Sequence, residues 1–385
     1  MKVTVAMDSF KGSLSSMQAG RAAEQGIRRV FPDAEIFVRP IADGGEGTVD
    51  ALIAGMGGVL ETVEVRGPLG ETVTAGYGIL KQSRTAIMEM SAAAGITLLL
   101  PEKRNPMKTT TYGVGEMIAD AIRNNCRNFI IGIGGSATND GGAGMLQALG
   151  YRLLDKNGKD IPAGAEGLAH LCEIRGEGKL PELRECRFSI ACDVTNPLCG
   201  ENGCSAVYGP QKGADVQMVC TMDQAMKHYA EITRRYVPEA DADYPGVGAA
   251  GGLGYAFRTF LQGELCSGVQ LILRETALEQ VIRQSDLVLT GEGRLDGQTA
   301  MGKAPVGVAA IAKRYGKPVI ALAGCVASEA VSCLDRGIDA YFPIVRGAVS
   351  LDDAMNPENA ASNMRNTAEQ VFRLIQLYYK GEGLW

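Results

Sequence analysis

Histidine is almost missing from this chain: 385 residues contain only two, His170 and His228. A Ser-His-Asp triad or a multi-histidine metal centre is therefore not expected, and acid–base work falls to carboxylates. The ten cysteines are scattered, with Cys199 and Cys204 the closest pair and no C-x-x-C spacing anywhere. That pattern suggests neither a zinc site nor a disulfide framework, so most thiols are expected to be small buried apolar groups. No uninterrupted apolar run approaches the roughly 18 residues of a membrane span, and Asp8 and Lys11 interrupt the N-terminus before a signal sequence could form. The expectation is a cytoplasmic protein with no membrane partner. Basic stretches are lacking too. With a net charge of −6 and a pI near 5.3, the chain has no cationic stripe for a nucleic acid, and an anionic substrate must meet lysines or arginines that the fold gathers locally.

What the chain has in excess is glycine, 50 residues, above the usual share of about 7%. Many loops must bend tightly. Residues 2–6 alternate as a strand, 13–30 read as a helix starting at Ser13, and 35–39 as a second strand, which makes a βαβ beginning. A helix near 48–54 and a strand near 61–65 follow. Towards the other end, strands at 286–290, 318–323 and 340–343 alternate with helices at 302–315 and 329–336, and 359–379 closes the chain as a long helix. Such alternation predicts a parallel sheet covered on both faces.

The two ends are each short for an α/β domain, whereas the middle has hairpin signals such as Asn157-Gly158 and a glycine cluster at 248–254. The fold class expected is α/β: a discontinuous Rossmann-like parallel-sheet domain, 1–69 plus 286–385, with an inserted mixed α/β domain, 70–285. The active site is expected in the cleft between them.

Glycine loops carry the candidate chemistry. The run 132–144 follows the apolar segment 128–131 and leads into Met145 and Leu146. A strand that breaks into glycines and resumes as a helix exposes backbone N–H groups to an anion. Gly134, Gly135, Gly141 and Gly142, with Ser136, Thr138, Asn139 and Asp140, supply donors, acceptors and a metal ligand beyond what a bare turn requires. Asp8, Ser9 and Lys11 follow the first strand, at the carboxyl edge where open α/β sheets bind ligands. Asp43, Gly44 and Gly45 follow the second, in a pattern that the loop at Asp140 repeats. Asp193 ends the apolar strand 188–191, a place where a carboxylate is expensive to bury unless paired, metal-bound or catalytic. Lys212 sits in Gly-Pro-Gln-Lys-Gly, and Glu292, Arg294 and Asp296 follow the strand 286–290.

Residues 297–303 match G-x-x-x-x-G-K, yet Ala304 replaces the hydroxyl that a P-loop presents to Mg²⁺. An orthodox Walker motif is rejected, and Lys303 remains a candidate for an anion pocket at a helix start. A rival reading makes Gly132-x-Gly134-x-x-Ala137 a dinucleotide fingerprint, with Asp155 on the ribose of NAD and the protein a hydroxy-acid dehydrogenase. The glycines at 141, 142 and 144 delay the helix, and Asp155 leads into a hairpin turn, so this rival fits poorly. A non-catalytic ligand sensor is the third reading.

Taken in order, Asp8-Ser9-Phe10-Lys11, Asp43-Gly44-Gly45-Glu46-Gly47, Gly67-Pro68-Leu69-Gly70, the run opening at Gly132, Asp193-Val194-Thr195-Asn196-Pro197, Pro210-Gln211-Lys212 and Gly291-Glu292-Gly293-Arg294 resemble the signatures of the bacterial glycerate kinase family, type 1. The similarity spans essentially the whole chain. Met7 departs from it, standing where the family usually has proline. The resemblance implies ATP-dependent phosphorylation of D-glycerate, to 2-phosphoglycerate, in glycerate and sugar-acid catabolism, with ATP as co-substrate and Mg²⁺ as cofactor. A homo-oligomer is compatible with it. Phosphoryl transfer needs positioning, charge neutralisation and a carboxylate for the hydroxyl proton. On that basis Asp193, Lys11 and Asp8 are the catalytic candidates, with Asp193 the base. The loop residues Gly134, Gly135, Ser136, Thr138, Asn139, Gly141 and Gly142 are assigned to ATP. Ser9, Gly44, Gly45, Lys212, Arg294 and Lys303 are assigned to glycerate, and Asp43, Asp140 and Asp296 to the metal.

Overall fold

The computed structural model describes residues 1–42, 48–49, 52–53, 57–276 and 278–380. Its strands follow in chain order as β1 (Lys2–Met7), β2 (Glu35–Val38), β3 (Val59–Arg66), β4 (Thr72–Leu80), β5 (Thr85–Glu89), β6 (Asn128–Gly132), β7 (Arg152–Leu154), β8 (Glu173–Arg175), β9 (Arg187–Ala191), β10 (Glu264–Cys266), β11 (Leu287–Leu295), β12 (Val319–Val326) and β13 (Ala340–Pro343). The chain divides into two compact units: unit 1 is Met1–Asp43, Asp50–Gly57 and Val269–Trp385, and unit 2 is Gly44–Val49 and Gly58–Gly268. The first unit is thus assembled from both ends of the chain. The crossings lie near residues 58 and 268, whereas 69 and 285 were expected. β3 pairs along its whole length with β4 and so goes with the second unit, while the segment from Val269 packs its apolar side chains with those of the last third of the chain.

Unit 1 is a five-stranded sheet in the order β13-β12-β11-β1-β2, with every pairing parallel. Alternate residues of its strands feed two separate cores. Val3, Val5, Met7, Leu287, Leu289 and Leu322 join the helices Ser16–Arg28 and Pro357–Lys380. Ala6, Val288, Val319, Ala321 and Ala323 join the helices Leu278–Gln284 and Ala304–Arg314. The period of two sends neighbouring residues to opposite faces, so a sheet covered on both sides needs nearly continuous apolar strands. The helix Ser16–Arg28 starts later than its letters suggested. Ser15, not Ser13, forms a capping box with Gln18: its hydroxyl accepts from the Gln18 amide at 3.2 Å and its own amide donates to Gln18 Oε1 at 2.9 Å. Ser13 instead donates to the Phe10 carbonyl at 2.8 Å.

Unit 2 contains a six-stranded sheet in the order β10-β9-β6-β5-β4-β3. The pairs β10/β9, β9/β6 and β6/β5 are parallel, and β5/β4 and β4/β3 are antiparallel. Stacked Phe129 and Phe188, with ring centroids 4.8 Å apart, tie β6 to β9. The Asn157-Gly158 turn forms as expected between β7 and Asp160. The glycine cluster at 248–254 belongs to this unit. It lies in the helix Ala249–Leu261, which is kinked where Ala250, Gly251 and Gly252 take positive φ.

Candidate active site

In unit 1 the strand order reverses between β1 and β11. From β1 the chain crosses to β2 on one side, and from β11 it proceeds through β12 to β13 on the other. At such a switch point the crossover connections diverge and leave a crevice at the carboxyl ends of the strands. A cavity of about 730 Å³ occupies this crevice, and Asp8, Ser9, Lys11, Glu292, Arg294, Asp296 and Lys303 line it. Residues 8–11, 292–296 and 303, far apart in the chain, are gathered here because β1 and β11 are hydrogen-bonded neighbours: Met7 pairs with Gly291, and the Asp8 amide donates to the Gly291 carbonyl at 2.8 Å.

The segment 291–295 was expected as a loop. It continues β11 instead, since Arg294 and Leu295 pair with Cys325 and Val326 on β12. Asp296 then ends the strand and caps the short helix Gly297–Ala300: its Oδ1 accepts from the amides of Gln298 and Thr299 at 2.9 and 3.3 Å. The other oxygen faces Arg294 Nε at 3.6 Å. Glu292 is buried and accepts from Thr299 Oγ1 at 2.6 Å. The stretch that imitates a P-loop is therefore helical where a Walker motif would curl around phosphate. Lys303 is the N-cap residue of the helix Ala304–Arg314, whose second position is Pro305. Glu292 was quoted within a motif but assigned no role, and the apolar run before it is the signal that a buried strand delivers it.

The candidate residues of unit 2 separate into an open tip and a packed interior. In register, Glu89, Gly132 and Ala191 sit side by side on β5, β6 and β9, so the chain leaving each strand emerges at one carboxyl edge. Gly134 and Gly135 are exposed there, with Gly135 at φ +72°, and Asp193 is exposed on the neighbouring loop, accepting from the Gly268 amide at 3.1 Å. Glu89 ends the apolar strand β5 just as Asp193 follows β9, and it accepts from the Val49 amide at 3.1 Å. The same criterion that singled out Asp193 finds it, yet it was not selected.

The rest of the loop faces protein. Gly141 and Gly142 were assigned to ATP, but a Cβ on them would come within 2.7 Å of the Tyr229 ring and 2.4 Å of the Ala256 Cβ. Glycine at these two positions serves close packing and a left-handed backbone. Thr138 and Asn139 are fully buried, and Asn139 Nδ2 donates to Ser205 Oγ at 2.9 Å. Asp140 was assigned to the metal. It is fully buried and both its oxygens are occupied, Oδ1 by the Gly142 amide at 3.1 Å and Oδ2 by the Thr111 amide and hydroxyl at 2.8 and 2.9 Å, the Gly144 amide at 3.3 Å and Thr110 Oγ1 at 3.4 Å. Burial raises its pKa against the pull of these donors. Asp140 braces the loop to the segment before the helix Tyr112–Arg123. Asp43, Gly44 and Gly45 lie outside the described residues.

Lys212 also turns inward. It is buried, and its Nζ donates to the Thr138 carbonyl at 2.6 Å and to Ser136 Oγ at 3.2 Å, fastening the base of the exposed tip. Burial lowers its pKa to about 8 although Asp140 pulls the other way; Cys204 has its own thiol pushed up to about 11 and is neutral in that range. An unfolded lysine titrates near 10.5, so between about 8 and 10.5 the unfolded chain binds more protons and folding stability rises with pH. The gain is at most about 3 kcal/mol. Urea unfolding at pH 8 and 10 should show this rise in the native protein and a flatter dependence in Lys212→Met. Equal slopes would mean that the ammonium is not buried at a cost.

Among the described residues no three His, Cys, Asp or Glu side chains converge as a metal cage. That is compatible with Mg²⁺ chemistry, because Mg²⁺ is commonly held by one or two carboxylates together with the phosphates of its nucleotide. Among the described residues no helix is long and apolar enough to cross a membrane. Asp155 accepts from the amides of Asn157 and Lys159 at 2.8 and 2.9 Å. It closes a turn, and the first helix after the glycines is Ala143–Ala148, so the dinucleotide reading has no support.

A switch-point crevice lined by three cations and three carboxylates lies where open α/β sheets receive their ligands. The comparisons make the class specific. The model of the glycerate kinase family matches residues 3–376, and the chain belongs to that family, whose enzymes transfer a phosphoryl group to an alcohol. The glycerate kinase of Bacillus subtilis (strain 168) is 47% identical over 377 residues, covering 98% of each chain. The glycerate 2-kinase of Escherichia coli (strain K12) is 46% identical over 370 residues, covering 96% of this chain and 97% of its own. A crystal structure from Salmonella typhimurium LT2, assigned as glycerate kinase 2, matches with a TM-score of 0.92 at 45% identity over 99% of both chains.

Proposed function

We propose that the enzyme phosphorylates D-glycerate from ATP with Mg²⁺ and that the product is 2-phosphoglycerate. The observation that carries the phosphoryl-transfer chemistry is the unit 1 crevice, where Lys11, Arg294 and Lys303 stand beside Asp8, Glu292 and Asp296. Lysines and an arginine neutralise the phosphates and the group in transfer, and the carboxylates are the candidates to hold the metal. Mg²⁺ would supply charge neutralisation on the phosphate oxygens when bound. Asp296 offers its Oδ2 for this, since Oδ1 is taken by the cap.

In unit 2 the exposed backbone of Gly134 and Gly135 meets the small acid, and Asp193 accepts the proton of its attacking hydroxyl. Lys212 is reassigned from the glycerate carboxylate to holding the tip through Ser136 and Thr138. The 2-position is supported by the name of the Escherichia coli relative.

Purified enzyme is expected to release ADP only when D-glycerate and Mg²⁺ are both present. The product phosphorus should appear as a doublet in a proton-coupled phosphorus NMR spectrum, because the 2-ester has one proton on the carbon bearing oxygen. A triplet would show the 3-ester and overturn the position. Absence of glycerate-dependent ADP would overturn the substrate.

A further inference from the structure

The crevice in unit 1 has two chemically unlike walls. Its charged groups come from the chain just after β1, from the last part of β11 and the residue after it, and from Lys303 at the start of the helix Ala304–Arg314. The apolar part of its lining includes Phe10, Val326 at the end of β12 and, in the chain after β13, Ile344, Val345, Val349 and Leu351. Val349 and Leu351 are 55% and 75% exposed beside the cavity. They are held there by local structure. Ser350 caps the short helix Leu351–Met355, its Oγ accepting from the Asp353 amide at 3.1 Å and donating to Asp353 Oδ2 at 2.6 Å. Met355 lies against the turn at Gly12, where a Cβ would come within 2.7 Å of its Cε.

Two aliphatic side chains held out at the mouth of a cavity form a surface that water covers poorly and a flat apolar ligand covers well. A three-carbon hydroxy acid presents no such face, and about 730 Å³ is far more than it needs. A nucleotide has both halves: a ring system with apolar faces, and a phosphate chain that requires cations. We infer that this crevice takes the nucleotide with its base laid against Val349 and Leu351 and its phosphates toward Lys11 and Lys303. The inference rests on the phosphoryl-transfer reading above and adds to it which wall holds the base. It also moves the nucleotide from the 132–144 loop, most of which is buried, to unit 1.

The test is Val349→Asp and Leu351→Asp in the full-length enzyme, with Leu374→Asp, an exposed position on the helix Pro357–Lys380 outside the cavity lining, as the control for an added surface charge. Each cavity variant is expected to raise KM for ATP by about tenfold or more, with kcat and KM for glycerate within about twofold and the control near native. Calorimetric titration with ADP alone should show the same loss of affinity. Unchanged ATP KM and ADP affinity in both variants would overturn the base assignment, as would a parallel rise of KM for glycerate. Because all three positions are exposed, an altered thermal midpoint is not expected. The ADP titration keeps the inference separate from the parent reading: an enzyme that made no phosphoglycerate, yet lost ADP affinity in the cavity variants, would refute the substrate and keep the nucleotide wall.

Discussion

Asp193→Asn is expected to lower kcat by roughly 10² to 10⁴, the range over which a positioned general base contributes, while KM for glycerate and ATP changes little. The substitution is close to isosteric. The amide oxygen can still accept from the Gly268 N–H that Asp193 Oδ1 now binds at 3.1 Å, so the loop after β9 keeps its anchor. What disappears is the capacity to take a proton. In the sheet β9 lies beside β6, which brings Asp193 to the same carboxyl edge as the exposed Gly134 and Gly135. The check is steady-state ADP release at saturating substrates, with the thermal midpoint measured alongside. A kcat within about fivefold of native, at unchanged substrate affinity, would remove Asp193 from the base role.

Asp140→Ala is expected to cost several kcal/mol of folding stability, at about 1–3 kcal/mol for a buried donor left without its acceptor. Five donors converge on this one carboxylate, from Thr110, Thr111, Gly142 and Gly144. Alanine leaves all of them buried without an acceptor, and each orphaned donor keeps its desolvation cost. The brace links the glycine loop to the start of the helix Tyr112–Arg123, so the loop's shape should loosen with it and turnover should fall as a secondary effect. Asp140→Asn should lose less than alanine, because one oxygen remains to accept while the new NH₂ group faces donors. Denaturant unfolding with an unchanged slope measures both. A loss below about 1 kcal/mol in the alanine variant would show that the loop does not depend on this carboxylate.

Much of the arrangement was legible in the letters. Strand and helix periodicity at both ends of the chain predicted a parallel sheet made from distant segments, and that sheet is present, from β1 and β2 to β11, β12 and β13. Lys11 and Arg294 were named from glycine-bounded strand ends and Lys303 from a glycine-lysine helix start, and all three line one crevice. The reason is general: a parallel strand buried on both faces is an apolar run, and where it stops the first polar residue stands at the carboxyl edge. Glu89, the last residue of β5, obeys the same rule without having been given a role, whereas Glu292 lies inside β11, which runs on to Leu295.

The glycine loop shows where letters stop. In sequence, Ser136, Thr138, Asn139, Asp140, Lys212 and the glycines at 141 and 142 are equally good ligand groups. The fold sorts them by depth. Gly134 and Gly135 emerge at the strand edge, whereas Tyr229, Ala256 and the threonines at 109–111 close over the rest. Those partners lie between about thirty and more than a hundred residues away in the chain, and periodicity carries no information about contacts at that range.

The sequence by itself determined the class of fold, the discontinuous assembly of the parallel sheet and the strand ends that bear charge, because all three follow from local hydrophobic period and from where that period breaks. Only the tertiary structure decided which of those charges remain available. Asp140 and Lys212 are spent on holding a buried loop, Asp296 gives one oxygen to a helix cap, and Val349 and Leu351, unremarkable as letters, stand exposed beside the cavity. Availability depends on what packs against a group from elsewhere in the chain, and that is a property of the folded neighbourhood alone.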